Sequence, residues 1–84
     1  MQNLRDTWWI ITEKELYKEF FFEDFSQAIA FMTQVGYMAE RLDHHPEWTN
    51  IDYGVLVRLT THDAGDTVTQ KDIELAKEMD KIYR

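Results

Sequence analysis

The sequence predicts an α+β fold: a four-stranded antiparallel sheet in β-β-α-β-β-α order, with both helices packed on one face. Three observations predict it. Residues 7–12, TWWIIT, and 15–22, ELYKEFFF, are aromatic and β-branched and lie only a few residues apart, as the strands of a hairpin do. A second such pair, WTNIDY at 48–53 and VLVRLTTH at 55–62, is separated by Gly54 alone. Apolar residues at helical spacing follow each pair. Consecutive hairpins make an antiparallel sheet, and two amphipathic helices must bury their apolar stripes against it.

In the first pair, EKE turns the chain. Leu16, Lys18, Phe20 and Phe22 then share one side of the second strand; Tyr17, Glu19 and Phe21 share the other. Both sides carry aromatics, so one suits the core and the other a neighbouring subunit. Asp24 has the character of an N-cap, with Gln27 completing a capping box. Phe25, Ala28, Phe31 or Met32, Val35, Met38 or Ala39, and Leu42 carry a helix over residues 25–42. Gly36 falls inside it, where glycine costs about 1 kcal/mol relative to alanine; a close backbone approach to the sheet would account for it. Pro46 forces the helix to end first.

In the fourth strand Val55, Val57, Leu59 and Thr61 face one way, and Leu56, Arg58, Thr60 and His62 the other. DAGDTV reads as a loop. Thr69 and Asp72 form a second capping box, opening a helix through Ile73, Ala76, Met79 and Tyr83.

At 84 residues the chain is expected to be one domain spanning residues 1–84. A chain this short hides only about 60–65% of the surface its unfolded form exposes, which makes a homodimer or homotetramer the expected assembly. With no cysteine, disulfides and thiolate metal sites are excluded, and the composition suits a reducing cytoplasm. The N-terminus lacks the basic region and long apolar core of a signal peptide, and no apolar run nears the roughly 20 residues of a membrane span. Nine Lys and Arg against sixteen Asp and Glu, a net charge of −7, offer no basic face for direct nucleic-acid binding.

The chemistry is concentrated in LDHHPEW, residues 42–48, which holds two of the three histidines beside the only proline. Pro46 fixes the exit of the chain and so aims His44 and His45. His62 stands at the end of the fourth strand and Asp72 in the first turn of the last helix. All are element ends, from which side chains can converge on a cleft. Histidines around one ligand suit acid–base chemistry that needs neither metal nor covalent intermediate. Each position also has a plainer reading. A helix C-terminus favours histidine through its macrodipole, His62 is an ordinary polar strand end, and Asp72 is a capping acid. Glu40, four residues before His44, either orients that imidazole or is a solvated charge. Trp8, Trp9 and Trp48 suit a core or an interface better than a stacked ligand. Three histidines with carboxylates are zinc ligands in principle, but adjacent histidines point apart, whereas helical metal pairs use i, i+4 spacing.

Glu40, three residues, His44-His45-Pro46, Trp48, Tyr53, Thr61-His62-Asp63 and Asp72 together resemble the signature of the pterin-4a-carbinolamine dehydratases. The upstream FFFEDFSQAIAFMTQVGYMAE is similar to that family's strand-to-helix stretch, so the resemblance covers nearly the whole chain. It implies the same four-stranded sheet with helices on one side. It also implies cofactor-free dehydration of 4a-hydroxytetrahydropterin to quinonoid dihydropterin, a step that recycles the pterin of aromatic amino acid hydroxylases. By position, His44 and His62 would be the proton-transfer pair and His45 a substrate-contacting histidine. Glu40, Pro46, Trp48 and Asp72 would belong to the substrate site, with backbone groups around Thr61, His62 and Asp63 holding the pterin ring. No metal and no cofactor is implied. The chain departs from the family in two places: MQNLRD is short where relatives carry a helix, and the loop AGDTVT is one residue longer than the usual AGGLT. The resemblance also implies a second role, since some family members also act as dimerisation cofactors of a homeodomain transcription factor, which leaves a non-catalytic protein-binding module, or transcriptional coactivator, as the alternative.

Overall fold

Leu16, Phe20, Val55, Val57 and Leu59 are each buried to within 1% of fully, while Tyr17, Glu19, Leu56 and Arg58 beside them are partly or fully exposed. That alternation sets the two central strands. The computed structural model describes residues 8–83. Its elements are β1 (Ile10–Ile11), β2 (Leu16–Phe21), α1 (Phe25–Leu42), β3 (Glu47–Ile51), β4 (Gly54–Leu59) and α2 (Gln70–Tyr83). The strands form one antiparallel sheet in the order β1-β2-β4-β3. Leu16 pairs with Leu59, Lys18 with Val57 and Phe20 with Val55, so one face of the two inner strands is apolar except for Lys18, whose ammonium is paired with Asp80. Ala28, Phe31, Val35 and Ala39 of α1 and Leu75, Ala76 and Met79 of α2 cover that face. No helix among the described residues is long and apolar enough to cross a membrane.

Local chemistry sets the boundaries. Thr12 Oγ1 accepts from the N–H groups of Lys14 and Glu15 and so closes the β1–β2 turn. Gln27 N donates to Asp24 Oδ1 at 2.8 Å, while Gln27 Oε1 accepts from Glu23 N at 3.1 Å, one residue earlier than a standard capping box. The expected first strand is longer than β1, and its Thr7 lies outside the described residues, as does MQNLRD. β3 ends before the expected Tyr53 because Asp52 turns left-handed, with φ 50°. Gly54 is then the first residue of β4 rather than a turn residue.

Two further expectations need correction. Gly36 does not approach the sheet: a Cβ built there meets nothing within 4 Å. The core stripe of α1 runs through Val35 and Ala39, and Gly36 is turned away from it. β4 also stops at Leu59, so His62 is not a strand residue. Thr61 makes an isolated bridge to Thr67, and His62 opens a short 3₁₀ turn, His62–Ala64.

Candidate functional site

The C-terminus of α1 ends in a Schellman motif. Asp43, at φ 52°, is left-handed; its N–H donates to Glu40 O at 3.1 Å, and His44 N donates to Ala39 O at 3.0 Å. His44 is thereby lifted out of helical register. It does not meet Glu40 as the i, i+4 spacing suggested. Its Nε2 lies 2.5 Å from Asp72 Oδ1, and Glu40 instead reaches His45 Nε2 at 2.8 Å.

Asp72 is fully buried at the start of α2. Its Oδ2 accepts from Thr69 N at 2.9 Å, as a capping acid, and from Thr61 Oγ1 at 2.8 Å. The Thr69 hydroxyl does not close the other half of a capping box; it pairs with Thr61 Oγ1 at 2.7 Å. One carboxylate therefore ties together the end of α1, the end of β4 and the start of α2, and among the described residues no buried side-chain polar atom lacks a partner.

Across this junction lies an open cavity of about 190 Å³. His44, His45, His62, Thr61 and Asp63, all expected at the site, line it. Glu40, Pro46, Trp48 and Asp72 do not. Glu40 is an exposed carboxylate beside His45, Trp48 packs against the core from β3, and Asp72 stands behind His44, out of reach of a ligand. Tyr53 sits in the β3–β4 turn, at the opposite end of the sheet from the cavity. Asp43, Thr60 and Lys71 also line the cavity and were not expected there. Their signal was adjacency: each precedes, in sequence, a residue that was.

Each histidine commits one ring nitrogen to a different carboxylate: His44 to Asp72, His45 to Glu40, and His62, through Nδ1, to Asp66 at 2.6 Å. Among the described residues no three His, Asp or Glu side chains are grouped to hold a metal ion. Among the described residues the second nitrogen of each imidazole has no hydrogen-bond partner, and an imidazole nitrogen can give or take a proton.

The pattern of the family "Pterin 4 alpha carbinolamine dehydratase" matches residues 1–82. The chain belongs to this family. A Prochlorococcus marinus (strain NATL2A) protein named "Putative pterin-4-alpha-carbinolamine dehydratase" is 49% identical over 74 residues, which span 88% of this chain and 77% of that one. Among solved structures, a transcriptional coactivator/pterin dehydratase from Brucella melitensis is similar at 40% identity with a TM-score of 0.89, covering 96% of this chain and 88% of its own. A pterin dehydratase-like protein described as a RuBisCO assembly factor in the alpha-carboxysome shares the fold at 20% identity and a TM-score of 0.72, over 89% of this chain and 86% of its own.

Proposed function

We propose that the chain dehydrates 4a-hydroxytetrahydropterin to quinonoid dihydropterin and water, with His44 and His62 as the proton-transfer pair. The observation that carries this reading is that imidazoles from two separate connections, α1 to β3 and β4 to α2, line one small open cavity. A shallow hollow of this size suits a flat bicyclic ring better than a large ligand.

Loss of water breaks the C4a–O bond and forms a C=N bond. One proton goes to the departing hydroxyl and one leaves a ring nitrogen, so the pair of imidazoles ends with the protons it began with, exchanged between them. Each transfer contributes about 10²–10⁴-fold. His45 contacts the substrate, and backbone groups at Thr61, His62 and Asp63 hold the pterin edge. Asp72 acts through His44 as a positioning residue, and Trp48, Pro46 and Glu40 support the loop that presents His44 and His45. The reaction takes place without metal or cofactor, in the cytoplasm, in a homodimer or homotetramer of this domain.

The test supplies freshly generated 4a-hydroxytetrahydropterin to the wild type, His44→Ala and His62→Ala. A marked loss of rate in both variants is expected. Equal rates in all three, matching the uncatalysed background, would reject the assignment.

A second reading has its own support. Ile10, Phe21 and Ile51, each more than half exposed, stand on the sheet face away from the helices, and such apolar exposure suits a protein partner. On this reading the chain is a protein-binding module, as the relatives described as a coactivator and as an assembly factor suggest. Full dehydratase activity with Phe21 and Ile51 both changed to serine would separate that surface from the catalytic one.

A further inference from the structure

Asp66 has no part in the reaction as written, yet its carboxylate lies 2.6 Å from His62 Nδ1. We propose that Asp66 is the positioning residue of His62, holding the imidazole as the Nδ1–H tautomer and leaving Nε2 to face the cavity. Its catalytic consequence rests on the dehydratase reading; the tautomer itself does not.

Stability does not account for the pair. The two side chains are 76% and 69% exposed, and an ion pair so open to water adds little to folding. The backbone around it is nevertheless closely specified. Gly65 and Asp66 are both left-handed, at φ 80° and 57°. Thr61 N donates to Thr67 O at 3.0 Å, Gly65 N to His62 O at 3.0 Å and Asp66 N to Thr61 O at 3.2 Å. The loop is also fastened to the β1–β2 turn. Thr60 Oγ1 donates to Lys14 O at 2.6 Å, and Thr67 Oγ1 to Glu13 O at 2.8 Å. Asp66 thus offers its carboxylate from a fixed frame rather than from a mobile surface turn.

The chemical consequence follows from the carboxylate being an acceptor only. The imidazole nitrogen facing it must carry the proton, so in the neutral ring Nε2 is left as the lone pair. An unconstrained imidazole in water favours the opposite tautomer. Asp66 therefore gives His62 a basic nitrogen on the cavity side, as the buried aspartate of a serine-protease triad does for its histidine.

The test uses the full chain labelled with ¹⁵N-histidine, with ring nitrogens observed at alkaline pH where the imidazoles are neutral. Asp66→Gly removes the carboxylate and suits the left-handed backbone, so no strain is introduced. His62 is expected to show the Nδ1–H pattern in the wild type and to move toward the Nε2–H pattern in Asp66→Gly. In the same variant kcat should fall about 10-fold to 100-fold with KM little changed, and combining it with His62→Ala should cause no further loss. A wild-type His62 already in the Nε2–H form, a pattern unmoved by Asp66→Gly, or an unchanged kcat in the variant would each overturn the proposal. A wild type that does not dehydrate the carbinolamine would instead remove the dehydratase reading, with the tautomer still deciding the role of Asp66.

Discussion

Asp72 Oδ1 and His44 Nε2 meet at 2.5 Å across 28 positions of sequence, with the carboxylate fully buried and the imidazole nearly so. The contact joins the two helices at the rim of the cavity. It belongs at once to the stability of the fold and to the aim of a candidate catalytic side chain.

Removing that carboxylate should therefore cost both. Asp72→Ala leaves His44 and the hydroxyl of Thr61 short of an acceptor in a closed space. A loss of about 3 kcal/mol is expected, read by urea denaturation, and Asp72→Asn should lose less because its amide oxygen still accepts from Thr69 N. Equal stability of the alanine variant and the wild type would show that the network contributes nothing.

The proposed chemistry needs one imidazole to enter protonated and the other neutral. Dehydration rate plotted against pH should consequently rise and fall through the neutral range. A monotonic profile with chemistry rate-limiting counts against two cooperating imidazoles.

Gly36 offers a stabilising change. Its surroundings are open, and its φ is that of an ordinary helical residue. Gly36→Ala should raise stability by about 0.5–1 kcal/mol, seen as a higher urea midpoint at constant m. A fall in stability would mean that another chain packs against this side of α1.

Asp80 ties α2 to β2 and to Trp9, the residue just before β1. It accepts from Trp9 Nε1 at 3.0 Å and from Lys18 Nζ at 2.8 Å, and the Lys18 ammonium lies 4.7 Å from the ring centroid of Phe20. Asp80→Ala should cost about 2 kcal/mol and shift Trp9 fluorescence to the red. Unaltered emission would show that Trp9 does not need this acceptor.

Tyr17 donates to Glu19 Oε1 at 2.8 Å. That hydrogen bond, with burial and the nearby Glu19 charge, raises the phenol above its ordinary value of 10.0. Because the folded value is the higher one, the stabilisation is fully present below the unfolded value near 10.0 and fades as pH rises through the folded one. In Glu19→Gln one tyrosine should ionise at lower pH in an ultraviolet titration; an unchanged curve would contradict the bond.

Much of this was legible in the chain because the signals are local. Alternation in VLVRL and the helical stripe from Phe25 to Leu42 depend on nothing beyond a few residues, and the strands and helices follow. Local signals failed at Gly36, whose surroundings lie outside its own helix, and at Glu40. The spacing from Glu40 to His44 assumed an unbroken helix, whereas the Schellman turn at Asp43 rotates His44 away. His45, one residue on, meets Glu40 in its place.

The element order, the apolar stripes of the two helices, the family and the gathering of histidines at element ends were all readable from the chain, because periodicity, caps and motif spacing are written within short windows. Which carboxylate serves which imidazole depends instead on how distant segments meet in the fold. Asp72 reaches His44 because the ends of two helices and of β4 converge. Asp66 reaches His62 because a bridge between Thr61 and Thr67 closes the loop that carries both. Such pairings are set by directions in space, and a side chain's direction depends on the backbone of the whole fold rather than on its neighbours in the chain.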